Sequence, residues 1–263
     1  TMATYNKTFN RNHSLNVVAA FSYERGDYGN KAMVATGFPQ DLTEDFDMSA
    51  AVNPQKPTSG RGMTSLVSFL GRANYNLMNK YLFTASFRRD GSSKFAPGNK
   101  WSNFASGAIA WRASEEQFIK DLNVFSNLKF RASYGQTGNQ AIGAYATRDY
   151  LTVANYPING ALASGFANLT WRGPANPDLK WETTSQYNVG VDMGFFQNRI
   201  NLTIDLYYKK TSDLLQNIQI PQSTGFSNMT TNFGNVTNKG LEITGKFYAI
   251  TGKNLNWDFD ANI

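Results

Sequence analysis

The stretch YNVGVDMGFFQNRINLTIDLYYKK (187–210) decides the fold, because its side chains alternate between apolar and polar with a period of two. Every second residue from Tyr187 to Phe195 is apolar, and the alternation resumes from Ile200 to Tyr208. The intervening residues are mostly small or polar: Asn188, Gly190, Asp192 and Gly194, then Asn201, Thr203, Asp205 and Tyr207. The pattern predicts two β-strands with one apolar face, joined by a tight turn at Gln197 and Asn198.

The predicted hairpin is long enough to distinguish two environments for its apolar face. A two-residue turn pairs Tyr187 with Tyr208, Val191 with Ile204 and Phe195 with Ile200. Each strand then carries an uninterrupted apolar face from one end to the other. Strands of soluble proteins average about 5–6 residues, whereas a transmembrane β-strand needs about 9–11. Period two alone cannot separate a lipid-facing sheet from one packed on another sheet, but the length favours lipid.

The same alternation recurs along the whole chain. With residues 3–9 and 100–112 it predicts about ten strands. The other apolar series are Leu15, Val17, Ala19, Phe21, Tyr23; Val67, Phe69, Gly71, Ala73, Tyr75; Tyr81, Phe83, Ala85, Phe87; Leu128, Phe130, Ala132, Tyr134; Leu241, Ile243, Gly245, Phe247, Ala249; and Leu255, Trp257, Phe259, Ala261.

Connections between the predicted strands alternate in length. Short turns are predicted at 10–13, 76–80, 197–198 and 252–254, and long connections rich in Gly, Asn, Pro and Ser at 24–62, 88–100, 136–180 and 210–238. Short periplasmic turns opposite long extracellular loops are typical of transmembrane β-barrels. Tyr75 and Tyr81 flank a short turn and are predicted to lie in an aromatic girdle at the membrane boundary.

Composition narrows the function classes further. The 263 residues include no cysteine, and the net charge of +6 comes from dispersed Lys and Arg, which argues against a disulfide framework and a nucleic-acid groove. No apolar run reaches the length of a membrane-spanning helix, and the start TMATYNKTF (1–9) alternates like a strand rather than a signal peptide. One short helix is predicted in ASEEQFIKDLN (113–123), with a capping box at Ser114 on the short-turn side.

Four stretches resemble the SusC/RagA family of TonB-dependent outer-membrane transporters: NKYLFTASFRRDGSSKF (79–95), SNLKFRASYGQTGNQAIGAYA (126–146), NPDLKWETTSQYNVGVDMGFF (176–196) and STGFSNMTTNFGNVTNKGLEI (223–243). The resemblance implies a roughly 22-stranded barrel with an N-terminal plug inside. It also implies a TonB-contacting segment and a SusD-like lipoprotein over the mouth, in the outer membrane of a Gram-negative bacterium. We therefore expect 1–263 to be part of one antiparallel barrel domain, with the plug and remaining strands outside this chain.

The expected function is active import of a glycan or peptide, with outer-membrane lipid around the wall and no cofactor. Inward-facing polar residues on the predicted strands would line a watery interior or contact the plug. The residues predicted to face the lumen are Arg72, Arg88, Arg131, Glu182, Asp192 and Asp205, with Asn74, Lys129, Gln186, Glu242 and Lys246 on the same faces. Rings and an arginine in the long connections are candidates for cargo binding: Tyr145, Arg148, Tyr150, Tyr156, Phe166, Trp171, Phe226 and Phe233.

Catalysis is not expected, because His13 is the only histidine and lies in a short turn. The acidic run DLTEDFD (41–47) has oxygen ligands that suit calcium but lacks EF-hand spacing, so a solvated loop without metal is the prediction. Two other functions fit the alternation: a passive porin, and a soluble all-β carbohydrate-binding or adhesin module.

Overall fold

The structure is a computed structural model that describes residues 1–10, 12–39, 46–168, 173–252 and 255–263. In chain order its strands are β1 (Met2–Phe9), β2 (His13–Ala32), β3 (Ala35–Thr36), β4 (Asn53–Pro54), β5 (Thr58–Leu77), β6 (Tyr81–Ser92), β7 (Trp101–Arg112), β8 (Phe125–Asn139), β9 (Leu151–Ile158), β10 (Ala161–Asn168), β11 (Glu182–Phe195), β12 (Ile200–Ser212), β13 (Leu215–Gln219), β14 (Asn228–Asn232), β15 (Asn235–Thr251) and β16 (Asn256–Asn262).

Ten of these strands form one antiparallel sheet in the order β1-β2-β5-β6-β7-β8-β11-β12-β15-β16. The predicted count of about ten strands is therefore confirmed. Among the residues that the structure describes, helical structure is limited to α1 (Gln117–Lys120) and 3-10 turns at Met48–Ala50, Ala113–Glu115 and Gln222–Thr224. None of the helices described is long and apolar enough to cross a membrane.

The short turns lie at one end of the sheet together with the helical connection between β7 and β8, and the four connections predicted to be long lie at the other end. The predicted division into a turn end and a loop end is therefore confirmed, although the helical connection, residues 113–124, is longer than the connection between β6 and β7, residues 93–100. The long connections contain the small hairpins β3–β4, β9–β10 and β13–β14. The predicted loop 24–62 is too long, because β2 and β5 stay paired as far as Ala32 and Thr58. Residues 24–31 lack apolar alternation although they form a strand, since this part of the hairpin is exposed on both faces.

The decisive hairpin has the predicted register: Tyr187 pairs with Tyr208, Val191 with Ile204 and Phe195 with Ile200. Its turn, however, comprises four residues, 196–199, rather than two. Phe196, Gln197 and Asn198 all have positive φ values of 51°, 58° and 61°. The backbone thus reverses through consecutive left-handed residues, which leaves the register of the strands unchanged.

The outward face of the sheet is apolar and uncovered. Val189 and Leu206 are each 57% exposed and Leu241 is 54% exposed. In the described chain the only other sheets are the three two-stranded hairpins, so no second layer packs on this face. Such a broad apolar surface is typical of a sheet that contacts lipid, and the transmembrane barrel segment predicted from the sequence is confirmed.

Aromatic rings border the apolar band. At the loop end Tyr134, Tyr187 and Tyr208 lie side by side, with ring centroids 4.7 Å and 6.4 Å apart. At the turn end Tyr75 stacks on Phe83 at 6.3 Å. Amphipathic rings at both edges match the boundary between lipid and water.

The helical connection between β7 and β8 lies at the turn end, as predicted, but the capping box at Ser114 is wrong. Ser114 lies inside the 3-10 turn, and Glu116 immediately precedes α1. The Glu116 carboxylate instead accepts hydrogen bonds from Lys80 Nζ at 2.7 Å, Tyr81 Oη at 2.8 Å and Trp111 Nε1 at 3.4 Å. These bonds tie the helix to the ends of the strands and lower the pKa of Glu116.

Candidate functional site

The long connections pack together at the loop end around a small apolar core. Phe95 is 2% exposed and Leu179 is fully buried, and the Trp181 ring lies 5.3 Å from Phe95 and 5.7 Å from Phe104 between ring centroids. Ile142 completes the cluster. Because Phe104 belongs to β7 and the other four belong to connections, this core fixes the connections onto the wall.

Side-chain hydrogen bonds join the same connections to one another. Trp181 Nε1 donates to the Lys100 carbonyl at 3.0 Å, and Asn99 Nδ2 donates to the Pro177 carbonyl at 3.3 Å. Asn232 Nδ2 donates to the carbonyls of Lys180 and Asp213 at 2.9 Å and 2.8 Å. An asparagine amide can donate and accept at once, which explains why Asn-rich connections form a defined structure here.

A cavity of about 210 Å³ opens among these connections. Its wall includes Tyr28 at the far end of β2, Tyr145 and Arg148 before β9, and Thr230 on β14. Tyr145 has a positive φ of 64°, and its carbonyl accepts the backbone N–H of Arg148 at 3.0 Å. This tight turn presents a ring and a guanidinium to the same space. Rings stack on sugar or peptide groups, while the guanidinium and hydroxyls orient polar groups by hydrogen bonds.

The predicted cargo residues fall into three groups. Tyr145, Arg148 and Tyr150 come together at the cavity, and Tyr145 is 38% exposed there. Phe226 and Phe233 lie in the connection between β12 and β15, away from the cavity lining. Tyr156 and Phe166 belong to β9 and β10, but their side chains are outside the described structure. Trp171 and residues 41–45 of the acidic run also lie outside the described residues.

Tyr28 and Thr230 bring polar side chains to the cavity and are not among the sequence candidates. Tyr28 lies within the predicted loop 24–62, although in the structure it extends β2 and pairs with Gly62. Thr230 carries no composition signal at all. Their place at the site follows from contacts between segments far apart in the chain, which strand alternation does not predict.

Predicted lumen-facing charges form a connected group on the inner wall. Arg131 contacts both Asp192, with Nε 3.3 Å from Oδ2, and Asp205, with Nη2 2.5 Å from Oδ2. Lys129 Nζ lies 3.6 Å from Asp192 Oδ2. Gly190 leaves room for this group, since a Cβ there would lie 2.8 Å from Arg131 Cζ. The charges are mutually compensated, as expected for a wall around a watery interior.

The remaining predicted lumen residues lie elsewhere on the inner face. Arg88 Nε pairs with Asp90 Oδ2 at 2.8 Å, and Glu182 accepts the Leu215 N–H at 3.0 Å near the mouth. Arg72 is exposed and has no ion-pair partner within the described ranges. A row of neutral side chains, Asn6, Asn16, Asn74 and Thr84, is linked by hydrogen bonds of 2.5, 2.9 and 2.9 Å across four strands.

The described residues contain no group of three or more His, Asp or Glu side chains that could hold a metal ion. His13 Nδ1 lies 2.6 Å from Tyr75 Oη near the turn end, remote from the mouth.

A family model described as "TonB dependent receptor-like, beta-barrel" matches residues 1–263. The chain belongs to this family. Members of this barrel family are receptors rather than enzymes by description. The resemblance that the four sequence stretches carry is thereby confirmed.

Curated relatives of this TonB-dependent receptor barrel include two of the expected type. The chain is 40% identical over 227 residues to TonB-dependent receptor P39 of Formosa agariphila, and the match covers 86% of the chain and 21% of the relative. It is 42% identical over 205 residues to TonB-dependent receptor SusC of Bacteroides thetaiotaomicron, covering 76% of the chain and 20% of the relative. The barrel segment thus spans about a fifth of the length of these relatives.

Solved structures place the TonB-dependent receptor barrel segment in the same fold. The structure of the RagAB peptide transporter superposes on the chain with a TM-score of 0.84 and 28% sequence identity. The match covers 99% of the present chain and 28% of the transporter chain. The siderophore receptor PirA from Acinetobacter baumannii superposes with a TM-score of 0.54 at 13% identity, over 94% of the chain and 33% of its own. This second likeness concerns the fold alone.

Proposed function

We propose that the protein is an outer-membrane importer of SusC type, in which residues 1–263 form part of the barrel wall and mouth. The plug, the TonB-contacting segment and the other strands belong to the rest of the protein, and a SusD-like lipoprotein covers the mouth. Energy delivered through TonB moves the plug, and cargo then passes along the polar inner wall. Membership of the family supports this proposal, together with the apolar outer face and polar inner face of the sheet.

The observation that carries the proposal is the cavity at the mouth, because it combines aromatic rings with a guanidinium on connections that a buried core holds in place. Tyr28, Tyr145 and Tyr150 can clasp flat apolar surfaces, and Arg148 can orient a polar or anionic group. Glycans and peptides both offer such surfaces. We assign the cavity to cargo of one of these two classes, captured between wall and lipoprotein.

The test uses the full-length protein together with its lipoprotein. Binding of an oligosaccharide set and an oligopeptide set is measured by calorimetry for the wild type, Tyr145→Ala and Arg148→Gln. We expect one set to bind and each variant to weaken it about three- to tenfold, the loss typical of a removed ring contact or charged hydrogen bond. Phe118→Ala is the matched control, since this exposed ring lies at the turn end, away from the mouth.

Unchanged affinity in both Tyr145→Ala and Arg148→Gln would remove the cavity from cargo binding. Uptake of the bound cargo into cells separates the importer from a passive porin. An importer loses uptake when TonB is deleted, whereas a porin keeps it. Recovery of the full-length protein in an aqueous fraction without detergent would contradict both and would favour a soluble carbohydrate-binding module.

A further inference from the structure

Cations collect on the outward face of the sheet where the apolar band meets the loop end. Four exposed basic residues there form what we call the outer basic collar: Arg25, Arg89, Lys210 and Lys239. Arg61 and Lys31 lie on the same face but farther out along the hairpin of β2 and β5. Their outward direction follows from the strand period, since Lys210 lies two residues beyond Tyr208 and Lys239 pairs with Tyr208. Asp27 is the one acidic residue among the described outward positions of this region, and it is shared by Arg25 and Arg61.

This charge distribution is specific to one face and one level. The inner wall mixes acids with bases, as in the group around Arg131. The outward apolar band carries no charge on β5, β6, β8, β11 or β12 between its bordering rings. The collar therefore follows the upper edge of the lipid-facing band. Headgroup phosphates lie at this level of a bilayer and attract Lys and Arg.

Arg89 is the collar residue with the most defined surroundings. Its guanidinium lies 5.3 Å from the centroid of the Trp101 ring, which in turn stacks on Phe69 at 6.2 Å. Among the described residues no carboxylate forms an ion pair with Arg89. Packing thus holds the planar group in place while its charge and N–H donors stay available. Such a guanidinium is suited to a phosphate, which it can contact through two N–H groups.

A groove of about 540 Å³ runs beside Arg89 along the outward face. Its floor is formed by the paired residues Ala19 and Gly71, and the rings of Phe21, Phe69 and Phe87 border it. A Cβ at Gly71 would meet nothing within 4 Å, so the space above this residue is open. An apolar channel below a fixed cation has the shape and polarity of an acyl chain below its phosphate.

We propose that Arg89 and this groove bind one phosphorylated lipid of the leaflet at the loop end. The phosphate contacts the Arg89 guanidinium, and one acyl chain lies over Gly71 between the phenylalanine rings. The inference rests on the proposed membrane location of the wall. Charge complementarity selects a phosphorylated headgroup over a neutral one, and the groove selects a lipid over a free phosphate.

Native mass spectrometry of the full-length protein in a neutral detergent tests this site, with diphosphoryl lipid A as the probe. We expect Arg89→Gln to lower the affinity for lipid A, measured as bound fraction against lipid concentration, about fivefold, the effect of one basic residue at a membrane surface. Gly71→Leu should lower it as well, because the new side chain projects into the groove from an open position where a Cβ meets nothing within 4 Å. Arg72→Gln is the matched control, since Arg72 lies next to Gly71 but on the inner face, and it should bind as the wild type does.

Three results would overturn the site. Arg89→Gln could retain wild-type binding, Arg72→Gln could lose as much as Arg89→Gln, or inorganic phosphate could displace the lipid while Gly71→Leu binds normally. Failure here differs from failure of the proposed function. A protein that fractionates with membranes and imports cargo by way of TonB, yet binds lipid A independently of Arg89, would refute only the lipid site.

Discussion

At the scale of single residues, two glycines of the wall are covered by a tyrosine ring from the strand paired with them. Tyr207 is paired with Gly240, and a Cβ at Gly240 would lie 2.7 Å from Tyr207 Oη and 2.8 Å from its ring atoms. Tyr28 covers its partner Gly62 in the same way. The tyrosine ring shields from water the backbone that the glycine leaves without a side chain, and this contact stabilises the cross-strand pair.

Gly240→Ala should therefore destabilise the barrel by about 1 kcal/mol, the low end of the cost of overpacking, because the added methyl group forces the far end of the Tyr207 side chain aside. Gly245→Ala on the same strand is the control, since a Cβ there meets nothing within 4 Å. Both changes restrict the unfolded chain equally, so their difference reports the steric effect. Urea unfolding of the full-length protein in vesicles measures it, and equal midpoints for the two variants would contradict the ring's role.

Single residues also mark the limit of what the sequence predicts. Strand alternation placed Arg131, Asp192 and Asp205 on one face, and the structure joins them into one charged group. A strand glycine such as Gly240 signals a close approach, but not which ring makes it. Tyr28 could not be assigned to the mouth cavity for a similar reason, since its neighbours there are more than a hundred residues away in the chain.

At the scale of elements, the turn-end helix depends on one carboxylate. Glu116 accepts hydrogen bonds from Lys80, Tyr81 and Trp111, of which the Lys80 contact is the main cause of its lowered pKa. A carboxylate whose pKa is lower in the folded state stabilises that state above its unfolded pKa of about 4.3, and the stabilisation disappears as pH falls through the folded pKa. Sequence reasoning predicted the helix, but the partners of Glu116 come from another turn.

Glu116→Gln should lower the thermal midpoint of the full-length protein at pH 7, and the difference from the wild type should shrink as the pH falls below about 4. Glu115→Gln is the neighbouring control. Its ion pair with Lys120 is exposed, with side chains 42% and 50% accessible, so water screens it and a smaller difference is expected. A Glu116→Gln difference that stays constant with pH, or one no larger than that of Glu115→Gln, would show that the carboxylate does not fasten the helix.

At the scale of the whole molecule, one physical distinction organises every other feature: the outward face is apolar between two borders of rings, and the inward face is polar. The alternation in 187–210 was sufficient to predict both faces and the register of their strands, because a slip of one residue would exchange them. The arrangement of the mouth was not predictable in this way. It depends on a core of connection residues such as Leu179 and Trp181, whose contacts have no period.

Two neighbouring residues of β15 test which face meets lipid. Ile243 points outward in a row with Ile204 and Val191, whereas Thr244 points inward opposite Thr203. Ile243→Arg should destabilise the full-length protein by about 2–4 kcal/mol, the cost of an arginine near the middle of the lipid-facing band, and Thr244→Arg by far less, because its charge reaches water. Urea unfolding in vesicles and the amount of folded protein in the outer-membrane fraction measure both. A larger loss of stability in Thr244→Arg than in Ile243→Arg would show that the face of Thr244 contacts lipid. The charged residues of that face would then point toward lipid, and the wall could not conduct cargo through its interior.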